Sequence, residues 1–537
     1  MKVFKRILAA MVSLVILLSV SVSCIGLIFV PLMPDIAGLP SFTLTEDYVE
    51  QTLDYLESAK NNTIDNNDVE ASAAWTSFNY SFYEVASQTN VAFIFYASDT
   101  SNSTYRNNYV FANDAYSDIY ASYMKALQAI YAAQGADGAL SGFSQEELNR
   151  VLNYTDEVAA LEKDVSDLQM QYASVDEDAE NYDEETARIY KQIVAKNNQI
   201  AQAYDFKNYY EYASSYVYDR DYSSKELTSF RANVSQKVPG AIAKVKSDLK
   251  VAKDAITSKE EDLLKSISYD AYYMSSTNYW ESYVTSYESE IEKELMHAFD
   301  NQNVMFANGA HSREMAFTAH LPAYNKSFCY FGPNYQDVFT VAHEIGHYFA
   351  GRHVAQGSAS MDLKETHSQG NEMLLLNYLS NELDVNSFKV LELAEISGIL
   401  NTVLVCTIID EFEYHVYTND VTNYTSQDFD RVINNICARY GGESFVNSIT
   451  DINKYWRLVV AEQALYYISY ATSGVAAFSL YVMADEDRQA ARNAYVSLIK
   501  EHNEEGGFVS NLTRVGLSSP FTIDAFEKIE GFVYGVN

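Results

Sequence analysis

Three residues in the sequence His343-Glu344-Ile345-Gly346-His347 could do hydrolytic chemistry. Residues four apart on an α-helix stand one turn apart on one face, so both imidazoles can bind a single tetrahedral zinc ion. Glu344, beside the first histidine, could then take a proton from a water that the metal has acidified. Such a set cleaves a bond with activated water, without a covalent intermediate. With nine histidines in 537 residues, this pattern arises by chance on the order of once per hundred such chains. Val338, Val341, Ala342, Ile345 and Phe349 supply the apolar face that makes this stretch a helix.

A catalytic zinc takes a third protein ligand and leaves its fourth position open. His353 lies ten residues after His343, the spacing of the longer His-Glu-x-x-His-x-x-Gly-x-x-His pattern, but Ala350 occupies the glycine position and Gly351 comes one residue late. Glu365 and Glu372 are seven apart on a helix predicted from Asp362 to about Leu379, so they share a face. Leu374, Leu375 and Leu376 imply that this helix is largely buried. Glu365 is assigned as the ligand, with Glu372 hydrogen-bonding a ligand histidine.

These stretches resemble the oligoendopeptidase F branch of the thimet-oligopeptidase-like (M3) metallopeptidases. Asp337-Val338-Phe339-Thr340-Val341-Ala342-His343-Glu344-Ile345-Gly346-His347 resembles the family's zinc helix, and Glu365-Thr366-His367-Ser368-Gln369-Gly370-Asn371-Glu372 its third-ligand segment. Ile409-Asp410-Glu411-Phe412-Glu413 is similar to a following helix, and Tyr466 with Tyr470-Ala471-Thr472 to the tyrosine segment. Ile200-Ala201 and Asn208-Tyr209-Tyr210-Glu211-Tyr212 are also similar, so the resemblance spans roughly 185–485. It implies a mainly α, two-lobed peptidase fold around a deep channel, with a very small β-sheet beside the metal helix. It further implies one Zn2+ per chain, cleavage of internal bonds in short unfolded peptides, and an outer-sphere role for Asp337 as well as Glu372. Tyr466 and Tyr470 become candidate donors to the oxyanion. There are two departures. The interval from His347 to Glu365 is shorter than the family's, and Glu372 fits the usual spacing better, so both glutamates remain candidate ligands. The family's histidine ahead of the tyrosines is missing from Trp456–Glu462, which makes His367, His415 and Arg457 the alternative donors.

The elements that must hold these residues are mostly helical, because Pro (7) and Gly (21) are rare in a long chain. Residues 1–34 are read as a signal or membrane anchor, 35–200 as an N-terminal helical region and 201–537 as a helical catalytic domain. Residues 35–70 read as a polar lead-in with a loop at Asn61–Asp68, followed by helices broken near Ser98–Ser103 and Gly135–Gly142. Val158, Leu161, Val165, Leu168 and Tyr172, then Ile189, Ile193 and Ile200, predict a long antiparallel helical hairpin. Ser327-Phe328-Cys329-Tyr330-Phe331 is the best strand candidate. By the resemblance it lies beside the metal and pairs with substrate backbone.

Lys2, Lys5 and Arg6 precede an uncharged run from Ile7 to Pro34, and acidic sequence follows. That asymmetry places the start inside and the bulk outside the cytoplasm. A cleaved leader or lipidation of Cys24, after Ser21-Val22-Ser23, would export the chain equally. A net charge of -36 repels phosphate backbones, which excludes nucleic acid as a partner. The N-terminal anchor is the one membrane contact expected. Cys24, Cys329, Cys406 and Cys437 form no CxxC and no disulfide framework. Two other functions fit the sequence: a metzincin-type peptidase using His353, and a non-catalytic exported peptide-binding protein.

Overall fold

The computed structural model describes residues 38–173, 175, 179–269, 279–287, 289–354, 359–441, 456–457, 464–503 and 506–535. The anchor expected over 1–34 lies outside them, as does most of Trp456–Glu462. The described residues form 19 α-helices and one three-stranded sheet, so the fold is mainly α with a very small sheet.

Apolar side chains gather into two cores. One is built on Glu46–Ile64, Asp68–Ser98 and Ser103–Gln134. Its centre is aromatic, with Phe78 stacked on Tyr123 at 5.7 Å between ring centroids. The helix Glu46–Ile64 falls where a polar lead-in was expected. Its buried stripe is Thr52, Leu56, Ala59 and Thr63, four residues of which only one is a large aliphatic. That stripe is too small and polar to register as periodic hydrophobicity.

The second core centres on Val338–His353, Met361–Leu379, Val385–Thr418 and Ile468–Glu486. Among the described residues Val385–Thr418 is the one helix apolar and long enough to cross a membrane, yet 67% of its apolar window is buried inside the protein. It is the spine of this core. The predicted hairpin is present as Asp156–Ala173 and Tyr182–Ala203, and its apolar residues divide between the two cores.

Strands β1 (Val304–Phe306), β2 (Ala316–Leu321) and β3 (Lys326–Phe331) lie in the order β1-β3-β2, with β1 parallel and β2 antiparallel to β3. Successive strand side chains point to opposite faces. Cys329 and Phe331 therefore join the second core while Phe328 and Tyr330 join the first. That position between two cores is why this strand reads as a continuous apolar run. β3 is the central strand, paired by β2 along its length and by β1 over Cys329–Phe331, and both β2 and β3 pack on the helix Val338–His353.

Candidate metal centre

The helix Val338–His353 starts at Asp337, whose Oδ1 accepts from the backbone N–H of Phe339 (3.0 Å) and Thr340 (3.1 Å). Asp337 thus caps the helix, and among the described residues no hydrogen bond joins it to His343 or His347. Gly346 lets this helix lie against Met361–Leu379: a Cβ there would stand 2.6 Å from the His367 carbonyl oxygen and 2.7 Å from Ser368 Cα. The same seam is tied by Asn371, whose Nδ2 donates to the Ala342 carbonyl at 2.7 Å while its Oδ1 accepts from Tyr283 at 2.8 Å. Two buried helices held at this separation bring the motif to its carboxylates.

His343 Nε2 and His347 Nε2 each lie 3.5 Å from Glu365 Oε2, and one ligand atom from each of the three residues falls within 4.8 Å of the others. Zinc bonds of about 2.0–2.1 Å at the tetrahedral angle separate neighbouring ligand atoms by about 3.3–3.4 Å. Two nitrogens spaced at that distance from one carboxylate oxygen fit a shared zinc better than direct hydrogen bonds. Glu372 Oε1 sits 2.6 Å from His343 Nδ1, which leaves Nε2 of that ring for the metal. The buried Glu344 carboxylate accepts from Thr318 of β2 at 2.7 Å.

The charge balance supports the same occupant. Burial works against protonation of His343, but the hydrogen bond and charge of Glu372, with the carboxylates of Glu344 and Glu365, outweigh it and push the imidazole up to about 10. For Glu365 burial alone would raise the carboxyl. His347, His343 and the Tyr466 hydroxyl instead hold it down at about 2. A site that draws a proton onto an imidazole between carboxylates is one that favours a cation. Burial raises Glu372, and Glu395 on Val385–Thr418 is raised to about 8 by burial and by the nearby Glu372 and Asp337 carboxylates.

The tyrosines divide. The Tyr466 hydroxyl lies 2.6 Å from Glu365 Oε1 and 3.0 Å from the Tyr470 hydroxyl. An ionised carboxylate can only accept, so the single Tyr466 proton goes to Glu365. Tyr466 braces Glu365, and Tyr470 stands one turn further along. A strained turn aims them: Leu465 has φ +64°, costly for a residue with a Cβ. Its N–H donates to Glu413 Oε1 at 2.7 Å, its carbonyl accepts from Arg220 at 2.7 Å, and the Ala464 carbonyl accepts from Tyr218 at 2.6 Å. Asp362, 3.5 Å from Arg220 Nε, ties this turn back to the glutamate helix.

The remaining candidates fall elsewhere. The helix runs unbroken to His353, which lies 3.3 Å from Glu294 Oε2 and outside the metal group. His367 is fully buried, with neither ring nitrogen hydrogen-bonded among the described residues, and burial pushes it down to about 3. His415 contacts the Tyr424 hydroxyl at 3.1 Å, and Arg457 is ion-paired with Asp183 and Asp430. Sequence reasoning missed Thr318, Tyr218 and Arg220, because each reaches the site from a distant segment and carries no motif of its own; Glu413 lies in the Ile409–Glu413 stretch singled out above, but its bond to the Leu465 turn depends on packing.

No family model and no curated protein matches this sequence. Solved structures do match the fold. PZ peptidase A with inhibitor 2 superposes with a TM-score of 0.69 and 17% identity, covering 92% of this chain and 98% of that one. Oligoendopeptidase-F from Enterococcus faecium gives 0.52 and 15%, covering 91% and 97%. Metallocarboxypeptidase 1 of Trypanosoma cruzi gives 0.57 and 11%, covering 91% and 100%. The likeness therefore extends well beyond the 185–485 suggested by motifs, and the chain has the fold of the oligoendopeptidase F-like, M3-type peptidases.

Proposed function

We propose that this protein is a zinc-dependent endopeptidase that hydrolyses internal bonds of short unfolded peptides. The observation that carries the reading is the convergence of His343 Nε2, His347 Nε2 and Glu365 Oε2 within 4.8 Å, next to a Glu344 carboxylate held by Thr318. His343, His347 and Glu365 hold the ion; zinc supplies Lewis acidity that polarises a carbonyl and acidifies water. Glu344 takes the proton of the attacking water and passes it to the leaving amine. The Tyr470 hydroxyl, whose proton faces Tyr466 while Tyr466 donates to Glu365, turns to donate to the carbonyl oxygen as negative charge develops there. The edge of β2, with no further strand beside it among the described residues, is the backbone surface against which an extended peptide lies.

The test is zinc content by metal analysis together with turnover of a mixed oligopeptide library. About one zinc per chain and cleavage of internal bonds are expected. A metal-loaded protein that binds peptides without cutting them would instead be an exported peptide-binding protein. Efficient digestion of a native globular protein would count against a site restricted to short chains. The basic start and the uncharged run over 7–34 support export with the catalytic region outside, tethered by the N-terminus. External protease added to intact cells should then reach the catalytic region; protection would overturn that topology.

A further inference from the structure

A cavity of about 670 Å³ opens among Ser103–Gln134, Asp156–Ala173, Tyr182–Ala203 and the segment Tyr209–Val217. Its wall is tyrosine: Tyr120, Tyr154, Tyr204, Tyr209, Tyr212 and Tyr216 all line it. The rings form a continuous surface, with Tyr204 5.1 Å from Tyr212, Tyr212 5.4 Å from Tyr216, and Tyr120 5.5 Å from Tyr154.

One carboxyl group, Glu162, stands among these rings. It accepts from the Tyr154 hydroxyl at 3.2 Å, and among the described residues no cation pairs with it. The cations of the wall are engaged elsewhere. Arg150 stacks 4.3 Å from the Tyr216 ring centroid and is ion-paired with Glu146 and Asp219, and exposed Lys163 faces Asp167. Asp114 and Asp118 add negative charge. The cavity therefore offers aromatic faces and an uncompensated carboxyl, and Arg150 on Tyr216 shows that this wall already accepts a stacked guanidinium. Burial pushes the Glu162 carboxyl up to about 7, as expected for a group without a counter-ion. The cavity also reaches Ala464, whose carbonyl is bonded by Tyr218 and which stands two residues before Tyr466.

We propose that this cavity is a substrate subsite for a cationic nitrogen group, either the guanidinium or ammonium of a basic side chain or the free N-terminus of a peptide, paired with Glu162 and stacked on the tyrosine rings. Ring faces attract cations most strongly where water is excluded, and a carboxylate partner supplies the charge balance. The substrate role rests on the peptidase reading; the binding does not.

The test uses three small probes on the zinc-loaded full chain, measured by calorimetry. N-acetyl-arginine amide carries a side-chain cation, glycine amide an N-terminal one, and N-acetyl-citrulline amide is the neutral shape control. At least one cationic probe should bind about tenfold or more tighter than citrulline amide. Glu162→Gln should abolish that preference, and so should Tyr212→Leu, which carries the test if the first variant fails to fold. The arginine-to-citrulline ratio of kcat/KM in matched N-acetylated peptides should fall in parallel where the side chain is the ligand. Equal binding of all three probes, or a preference that survives both substitutions, overturns the subsite. A chain that binds the cationic probe but cuts no peptide keeps the subsite and loses the peptidase.

Discussion

Glu372 Oε1 lies 2.6 Å from His343 Nδ1, on the ring edge opposite the nitrogen that faces Glu365 Oε2 at 3.5 Å. The two glutamates therefore act on different atoms of one imidazole. Glu365→Ala should leave the protein folded and free of zinc after dialysis. Glu372→Gln should keep the site but weaken zinc by roughly 10–100-fold, the usual cost of a lost partner behind a ligand histidine. His343→Ala and His347→Ala should behave like Glu365→Ala. Zinc titration ranks all four, and the opposite order for the glutamates would exchange their roles.

Glu344→Gln keeps the shape of the side chain and removes the proton acceptor. Zinc should stay bound, and kcat should fall by roughly two or more orders of magnitude. Thr318→Val removes the 2.7 Å hydrogen bond to the same carboxylate. It should lower kcat/KM by a smaller amount, with zinc content unchanged. Wild-type turnover by clean Glu344→Gln protein would refute the general base.

The two tyrosine-to-phenylalanine variants should separate by readout. Tyr466→Phe loses the 2.6 Å contact to Glu365, so zinc affinity should drop. Tyr470→Phe should keep zinc and lose ~10²-fold in kcat, the scale of a missing oxyanion donor. Unchanged kcat in both would remove tyrosine from the chemistry.

Gly346→Ala adds one methyl group, yet it would meet backbone at 2.6 Å and 2.7 Å. The two helices must then separate, and overpacking of this kind costs about 1–3 kcal/mol. Thermal unfolding should show the loss of stability, and zinc affinity should fall with it because the shifted helices no longer bring Glu365 to the histidines. A variant with wild-type stability and zinc binding would show that the seam yields.

Glu162 has a folded-state carboxyl raised to about 7 from an ordinary value of 4.5. The folded state therefore holds this proton more tightly than the unfolded chain. Its contribution to stability is full below the ordinary value and is lost as pH rises through about 7. Glu162→Gln removes that loss, so the variant should gain Tm relative to the wild type at pH 8.5 and gain less at pH 5.5. Parallel Tm curves across this range would mean that water or an ion already compensates the carboxylate.

The hairpin over 156–203 was legible from its periodicity, the helical class from the scarcity of Pro and Gly, and the β3 strand from its unbroken apolar and aromatic run. The helix Glu46–Ile64 was not, since its buried face of Thr52, Leu56, Ala59 and Thr63 resembles a polar loop in composition. The edge strand β2 also escaped notice. Ala316-Phe317-Thr318-Ala319-His320-Leu321 has a mixed pattern, and it is a strand because β3 pairs with it and both cores press on the sheet.

Sequence by itself placed the candidate metal-binding pair and the acid beside it. His343, Glu344 and His347 lie within five residues, and helix geometry alone puts both imidazoles on one face whatever surrounds them. The third ligand was a matter of tertiary structure. Glu365 and Glu372 share a helix face and a residue type, and which carboxylate meets Nε2 and which meets Nδ1 is set by how Gly346 seats one helix on the other. The same holds for Thr318 on Glu344 and for the turn at Leu465 that aims Tyr466. Those partners come from segments tens to hundreds of residues apart, and only packing of the two cores brings them together.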